Sequence, residues 1–367
     1  MTFSSELCRL GARVLAPLAL AAALLTACGG GTEQVQAFKP DRLIVLGDEN
    51  SMIEDFVDAV GRHDGFKYTV NDRSSTTSGK CLALPNAAQS VAALYGFSFL
   101  QCNPHAITPQ AFILAARGAT VGSVSTGLAA QLQNVKTVTQ GNALGARDLV
   151  MLLIGGNDII ELYERTLSGL SPADAVAEAQ RRGVLAAEQV NAVLATGARA
   201  LVITTPDLGL SPYAVNANKT NPGASSPPPS YACVSNPGAS GLLSRLTCEF
   251  NAYLRTSTRP QDGRNWGLVL ADDIVAAMFK VPKSFLTAPA VAAASACEIA
   301  DGLSADQVAS AVLKCNTTAT ANSATEIKLV GGASSGSHLW ASDRHIGPSA
   351  HSRIGTQAQS RAGTNPF

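Results

Sequence analysis

Four stretches of this chain are apolar almost without a break: RLIVLG at 42–47, DLVMLLIGG at 148–156, ARALVITT at 198–205 and GLVLAD at 267–272. A strand with one face in water alternates apolar and polar residues. A strand covered by helices on both faces does not, and its apolar run is continuous. The four runs therefore predict a buried, mostly parallel sheet. Parallel strands need crossovers, and helical segments lie between the runs. The stretch 171–197 opens with Ser171 as N-cap, Pro172 at the first helical position and Asp174 in the first turn, and closes on Gly197. The stretch 240–255 brings Leu243, Leu246, Phe250, Tyr253 and Leu254 to one helical face, as ordinary core packing. Strand, helix, strand, helix is the pattern of a doubly wound α/β fold.

Three stretches stand outside that pattern. Residues 61–110, with Cys81 and Cys102, form a side excursion. Residues 206–237 are rich in Pro, Ser, Asn and Gly and predict a long loop, either over a functional cleft or on the surface and pinned by Cys233. Residues 281–330 read as a small insertion, with Ser304 starting a short helix that runs to Lys314.

Of 367 residues, 15% are charged and the net charge is zero, so a basic nucleic-acid-binding face is not expected. The N-terminus carries Arg9 and Arg13, then an apolar stretch from Val14 to Leu25 with the dimensions of a signal-peptide core. Leu25-Thr26-Ala27-Cys28 resembles the lipobox of bacterial lipoproteins. The resemblance implies cleavage before Cys28 and its acylation, with the product anchored to the cell envelope, in the periplasm or at the cell surface. Ordinary signal cleavage with Cys28 incidental is the alternative. On this reading 1–27 is the signal, 28–40 the lipidated Cys and tether, and 41–367 the folded domain. Cys8 falls in the signal. Six cysteines remain, Cys81, Cys102, Cys233, Cys248, Cys297 and Cys315, an even number that suits disulfides in an exported chain. They allow fifteen pairings, and sequential pairing, 81–102, 233–248 and 297–315, is the simplest. There is no CxxC and no paired-His spacing, so neither a metal nor another cofactor is expected.

Four separated segments can carry chemistry: Gly47-Asp48-Glu49-Asn50-Ser51, Arg117 to Val121, Gly155-Gly156-Asn157-Asp158, and Trp340 to His351. In this order, each at a strand end or loop, they resemble the SGNH/GDSL hydrolase family over the chain from about residue 42 onward. The resemblance implies a three-layer α/β/α, flavodoxin-like fold carrying disulfide-pinned loop insertions, and hydrolysis of acyl esters of lipids or glycans. In that chemistry a serine attacks the carbonyl, a histidine takes its proton and an aspartate orients the histidine. Backbone N–H groups and an asparagine stabilise the oxyanion. By position, Gly118 and Asn157 match the oxyanion donors, and His345 matches the general base. His63, His105, His338 and His351 are its competitors. His338 can line the cleft, and His351 falls on the final helix.

Two positions depart from the family pattern. The nucleophile position after Gly-Asp is Glu49. The position three before His345 is Ser342, with Asp343 two before. Asp343 either orients His345 from the loop or is a solvated acid beside Arg344. Ser51 is either a displaced nucleophile or the N-cap of a helix after Gly47-Asp48, in a capping box with Glu54. Glu49 can attack as a carboxylate, activate water with His345 as acid, or pair with His345 and close the site. Two functions follow: an ester hydrolase with a rearranged site, or a non-catalytic relative that binds a ligand or partner.

Overall fold

The computed structural model describes residues 38–74, 79–220, 238–259 and 264–364. The expected signal segment, Cys28 and the expected tether as far as residue 37 lie outside the described residues, and so does Cys233.

The four apolar runs form strands β1 (Arg42–Gly47), β3 (Asp148–Leu153), β4 (Arg199–Ile203) and β5 (Trp266–Val269). A further strand, β2 (Ala111–Ile113), pairs with β1. At three residues it is too short to leave a pattern in the sequence. All pairings in the main sheet are parallel, in the order β2-β1-β3-β4-β5. That order is the flavodoxin-like one, with its switch point between β1 and β3. β1 and β3 are almost wholly buried, as continuous apolar runs require.

Ten helices surround the sheet among the described residues. Those used below are α1 (Ala87–Leu94), α2 (Leu128–Gln133), α3 (Val135–Val138), α4 (Gly156–Leu167), α5 (Pro172–Ala195), α6 (Pro212–Thr220), α7 (Gly238–Ser257), α8 (Ala271–Lys280), α9 (Ala305–Lys314) and α10 (Pro348–Gly363). α5 packs on α4 and α7. α10 packs on α1 and α8 and reaches β4 and β5. The two groups are consistent with three α/β/α layers. α5 starts where its caps predict: the Ser171 hydroxyl accepts from Asp174 N–H, and Pro172 follows. On α7, Leu243, Leu246, Phe250 and Leu254 are sealed in the core, whereas Tyr253 is 38% exposed. It lies at the edge of the stripe, where a phenol keeps its polar tip in water.

The stretch from 206 is not a loop throughout. Ser211 Oγ accepts from Ala214 N–H at 3.2 Å and Pro212 follows it, so α6 begins there. Residues 221–237 lie outside the described set. In the insertion, α9 starts at Ser304 with a full capping box. Disulfides join Cys81 to Cys102 and Cys297 to Cys315. The expected 233–248 pair falls on Cys233, outside the described residues.

The 61–110 excursion is tied down by an unusual group. Lys67 is 1% exposed, and its Nζ donates to the carbonyls of Cys81 and Ala83 at 2.7 Å each. Burial pulls its pKa down to about 7. The next residue, Tyr68, joins a second small core with Val70, Val312, Cys297 and Cys315. In this way the excursion and the insertion pack together.

Candidate active site

β1 ends in a turn that only glycine permits. Gly47 has φ +133°, and a Cβ there would fall 1.9 Å from the carbonyl oxygen of Leu153 on β3. The buried Gln131 on α2 completes the strand end: its amide donates to Gly47 O and accepts from Gly47 N, both at 2.8 Å. Asp48 then caps a single 3-10 turn, Glu49–Ser51, with Oδ1 accepting from Asn50 N–H at 3.0 Å. No helix follows, contrary to the sequence expectation. The chain extends at once, and Ile53–Glu54 pairs with Phe66–Lys67. The Ser51–Glu54 capping box is therefore not formed, and the Glu54 carboxylate accepts from the Tyr68 hydroxyl instead. Ser51 is fully buried, and its Oγ has no hydrogen-bond partner among the described residues.

The second and third segments converge on this turn. β3 passes through Gly155 into α4, which carries Asn157 and Asp158 in its first turn. Asp158 is buried and accepts from Val121 N–H at 3.0 Å and from Arg182 Nη1 at 3.0 Å. Arg182, on α5, also bonds Glu161 and Glu178. Burial pushes the Asp158 carboxyl up to about 6 even with Arg182 beside it. This strut holds loop 117–121 in place. On the loop's other side, Arg117 reaches the carbonyl of Asp306 and Ser310 Oγ on α9.

Glu49 occupies the centre. Its Oε2 accepts from Gly118 N–H and from Asn157 Nδ2, both at 3.0 Å. Its Oε1 faces His345 Nε2 at 3.4 Å. That separation is long for a hydrogen bond, and we treat it as an electrostatic contact. Both residues are at least 95% buried. Burial raises the Glu49 carboxyl, but the facing His345 ring, the carboxyl's own backbone N–H and the Asn157 amide outweigh it and hold it at about 2. The adjacent Asp48 goes the other way: burial, then the Glu49 charge, push it up to about 8. The surroundings favour the proton on Asp48 and the charge on Glu49. Two carboxyls side by side are thus held in opposite states by their surroundings.

His345 is held from its far side by Ser342, whose Oγ lies 2.7 Å from Nδ1 and also accepts the His345 N–H at 3.1 Å. Tyr68 stacks on the imidazole, with centroids 6.0 Å apart and planes at 25°. Asp343 does not orient the ring. It is engaged in a two-pronged pair with Arg344 Nε and Nη2 at 3.0 Å each, and only a long 3.5 Å contact links it to Ser342 Oγ. His338 is bonded to Ser337 and buried, and His351 is buried on α10 with burial pulling its pKa down to about 3. The structure thus brings Glu49, Gly118, Asn157 and His345 together, and leaves Asp343 and Ser51 outside the contact set. Ser342, Tyr68, Gln131 and Arg182 carry no motif of their own. Only the position of Ser342, three before the histidine, marked it in the sequence.

Beside this centre lies a cavity of about 310 Å³ between α4, α6 and the insertion. Tyr163, Tyr213, Ile299, Leu303, Asp343 and Arg344 are among its walls, and Glu49 and His345 are not.

No family model and no curated protein matches the chain. Among solved structures, protein YXIM from Bacillus subtilis is similar with a TM-score of 0.32 and 13% identity over 90% of this chain. The match spans 59% of that protein's length. TesA is similar with a TM-score of 0.25 and 15% identity, over 68% of this chain and 87% of that one.

Proposed function

We propose that this protein is an SGNH-type member of the α/β/α hydrolase folds whose centre is closed by its own Glu49, and that it works by binding rather than by turnover. The observation behind this is the placement of one carboxylate. Oε2 takes the two donors that would meet a substrate oxyanion, and Oε1 takes the face of His345 that would meet a nucleophile. A substrate carbonyl would have to displace a buried anion that His345, a backbone N–H and Asn157 hold at about 2. Attack by Glu49 itself would give an anhydride, a worse intermediate than an acyl-serine. Water activation would need Glu49 to swing out of the donors that make it anionic. Among the described residues Ser51 Oγ makes no hydrogen bond, so none from His345 activates it. The lipobox resemblance of Leu25 to Cys28, together with the two disulfides, supports the further part of this proposal, that the protein is carried on a lipid anchor at the bacterial envelope.

The test is a comparison of the purified protein with its His345→Ala variant. We expect p-nitrophenyl acetate hydrolysis to be the same in both and no labelling by a fluorophosphonate probe. Turnover that disappears in His345→Ala, or stoichiometric labelling of Ser51, would restore the hydrolase reading.

A further inference from the structure

The cavity beside the centre is lined by one guanidinium, Arg344, against two carboxylates, Asp301 and Asp343, so its lining carries one net negative charge. Arg344 is 8% exposed and lies over the Tyr213 ring, 5.0 Å from its centroid. Its Nε and Nη2 are taken by Asp343. Its Nη1 makes no hydrogen bond within the described residues, and it is not among the atoms sealed from solvent. Arg344 lines the cavity, so these two N–H groups are the donors it can offer to a ligand there. Opposite them, Asp301 accepts from Asn216 Nδ2 at 3.2 Å, which ties the insertion to α6 at the cavity's rim. Ile299, Leu303 and Val308 from the insertion supply the apolar part of the wall, with Tyr163 and Tyr213 set edge to face at 6.1 Å.

This chemistry selects among ligands. An anion would find a guanidinium already neutralised and a surplus of carboxylate. A cation would face Arg344. A long acyl chain would desolvate Arg344 Nη1, Asn216 and Asp301 without pairing them, which costs about 1–3 kcal/mol for each group. A neutral polyhydroxylated ring suits all three conditions. Its oxygens accept from Arg344, its hydroxyls donate to Asp301, and its C–H faces lie on the aliphatic and aromatic wall. The cavity is at the small end of the range for small-molecule sites, about 300–1,000 Å³, which suits a terminal sugar unit rather than a polymer segment.

We propose that this cavity is a binding site for a neutral saccharide unit. It deepens the binding reading and rests on it, giving the closed centre a neighbouring place where ligand is held. The experiment is isothermal titration, backed by saturation-transfer NMR, of the full-length protein with methyl glucoside, methyl galactoside and the methyl glycoside of N-acetylglucosamine. Glucuronate and glucosamine are the charged controls. We expect at least one neutral glycoside to bind with a Kd of about 1 mM or tighter. We expect about tenfold weaker binding in Asp301→Ala, equivalent to one lost hydrogen bond. Leu303→Trp, which fills the cavity from its rim, should abolish it. Circular dichroism of both variants should match the wild type, since Asp301 is exposed and Leu303 only half-buried. No binding by any of the three neutral glycosides overturns the proposal. So does binding that survives both substitutions, or tighter binding of glucuronate or glucosamine. The esterase comparison is read separately, so ester turnover with saccharide binding would sink only the closed-centre reading, and neither result can stand in for the other.

Discussion

The Glu49 centre and the Arg344 cavity are joined by residues 343–345 and are built in opposite ways. In the centre, the Gly118, Asn157 and Ser342 groups that would serve catalysis are already engaged, and Glu49 and His345 are sealed. In the cavity, an arginine of the same loop keeps one edge of its guanidinium open, and the rim is carried by exposed Asp301. The centre sits at the switch point of the sheet, braced by β1, β3 and α5. The cavity wall is supplied largely by the insertion. A site on the frame is rigid and, here, filled. A site on an insertion is free to take a ligand without disturbing the frame.

The difference in rigidity gives the largest expected effect. Arg182→Met would leave Asp158 buried beside loop 117–121 without its cation. We expect a loss of about 3–5 kcal/mol of unfolding free energy in a denaturant titration. Asp301→Ala at the rim should stay within about 0.5 kcal/mol. Similar losses in the two would erase the distinction between frame and insertion.

A pH titration sharpens the contrast from within the centre. The Glu49 carboxyl is held at about 2, against 4.5 in an ordinary chain. Its contribution to stability is therefore complete above pH 4.5 and fades as pH falls toward 2. We expect the wild type to lose about 3 kcal/mol more than Glu49→Gln over that window. Asp48 contributes with the opposite sign. With its carboxyl raised to about 8, the stability tied to it drains away as pH rises from 3.8 toward 8. Acid-side curves for the wild type and Glu49→Gln that coincide would mean that the carboxylate is not held as described.

The frame was legible in the sequence and the contents of the site were not. Four continuous apolar runs gave four strands of the sheet, and Ser171-Pro172 and Ser304 gave two helix starts, because burial and capping act through neighbours in the chain. Gly118, Asn157 and His345, taken from separate segments of the sequence, all lie against Glu49. What Glu49 does was left open among three roles, since that depends on which backbone and side-chain groups reach it from residues 69 to 296 positions away. The same holds for Asp343: its neighbour Arg344 takes it in a two-pronged pair, and nothing in the local sequence weighs that against His345. The Ser51 capping box failed for a related reason. Glu54 had a tertiary partner in Tyr68, and strand pairing with Phe66–Lys67 overrode the local helix signal. The 206–237 stretch was misread where composition hid the Ser211-Pro212 start of α6.

The closed centre can be opened. Glu49→Ser removes the anion, frees the Gly118 and Asn157 donors and sets a hydroxyl on the turn that faces His345. We expect p-nitrophenyl acetate hydrolysis to rise about 100-fold over the wild type, the lower end of what a placed general base supplies. Adding His345→Ala should return it to the wild-type level. No rise would mean that more than one carboxylate keeps the centre shut, and would move attention to Ser342.

Ser342 sets the smallest expected effect. A hydroxyl at Nδ1 of His345 fixes the ring but offers no charge to an imidazolium formed during proton transfer. A carboxylate at that atom does both. Ser342 Oγ already accepts the backbone N–H groups of Arg344 and His345, at 3.3 and 3.1 Å, so a carboxylate placed there would meet ready-made donors. In the Glu49→Ser background, Ser342→Asp should therefore add about tenfold in kcat with KM unchanged, about 1.4 kcal/mol of transition-state stabilisation. It should also shift the acid limb of the pH–rate profile upward, because a carboxylate favours the protonated ring. A gain in KM alone would show that the substitution only reshaped the neighbouring cavity wall. The centre would then depend on the cavity's loop for its shape, and the contrast between the two regions would fail at residues 342–345.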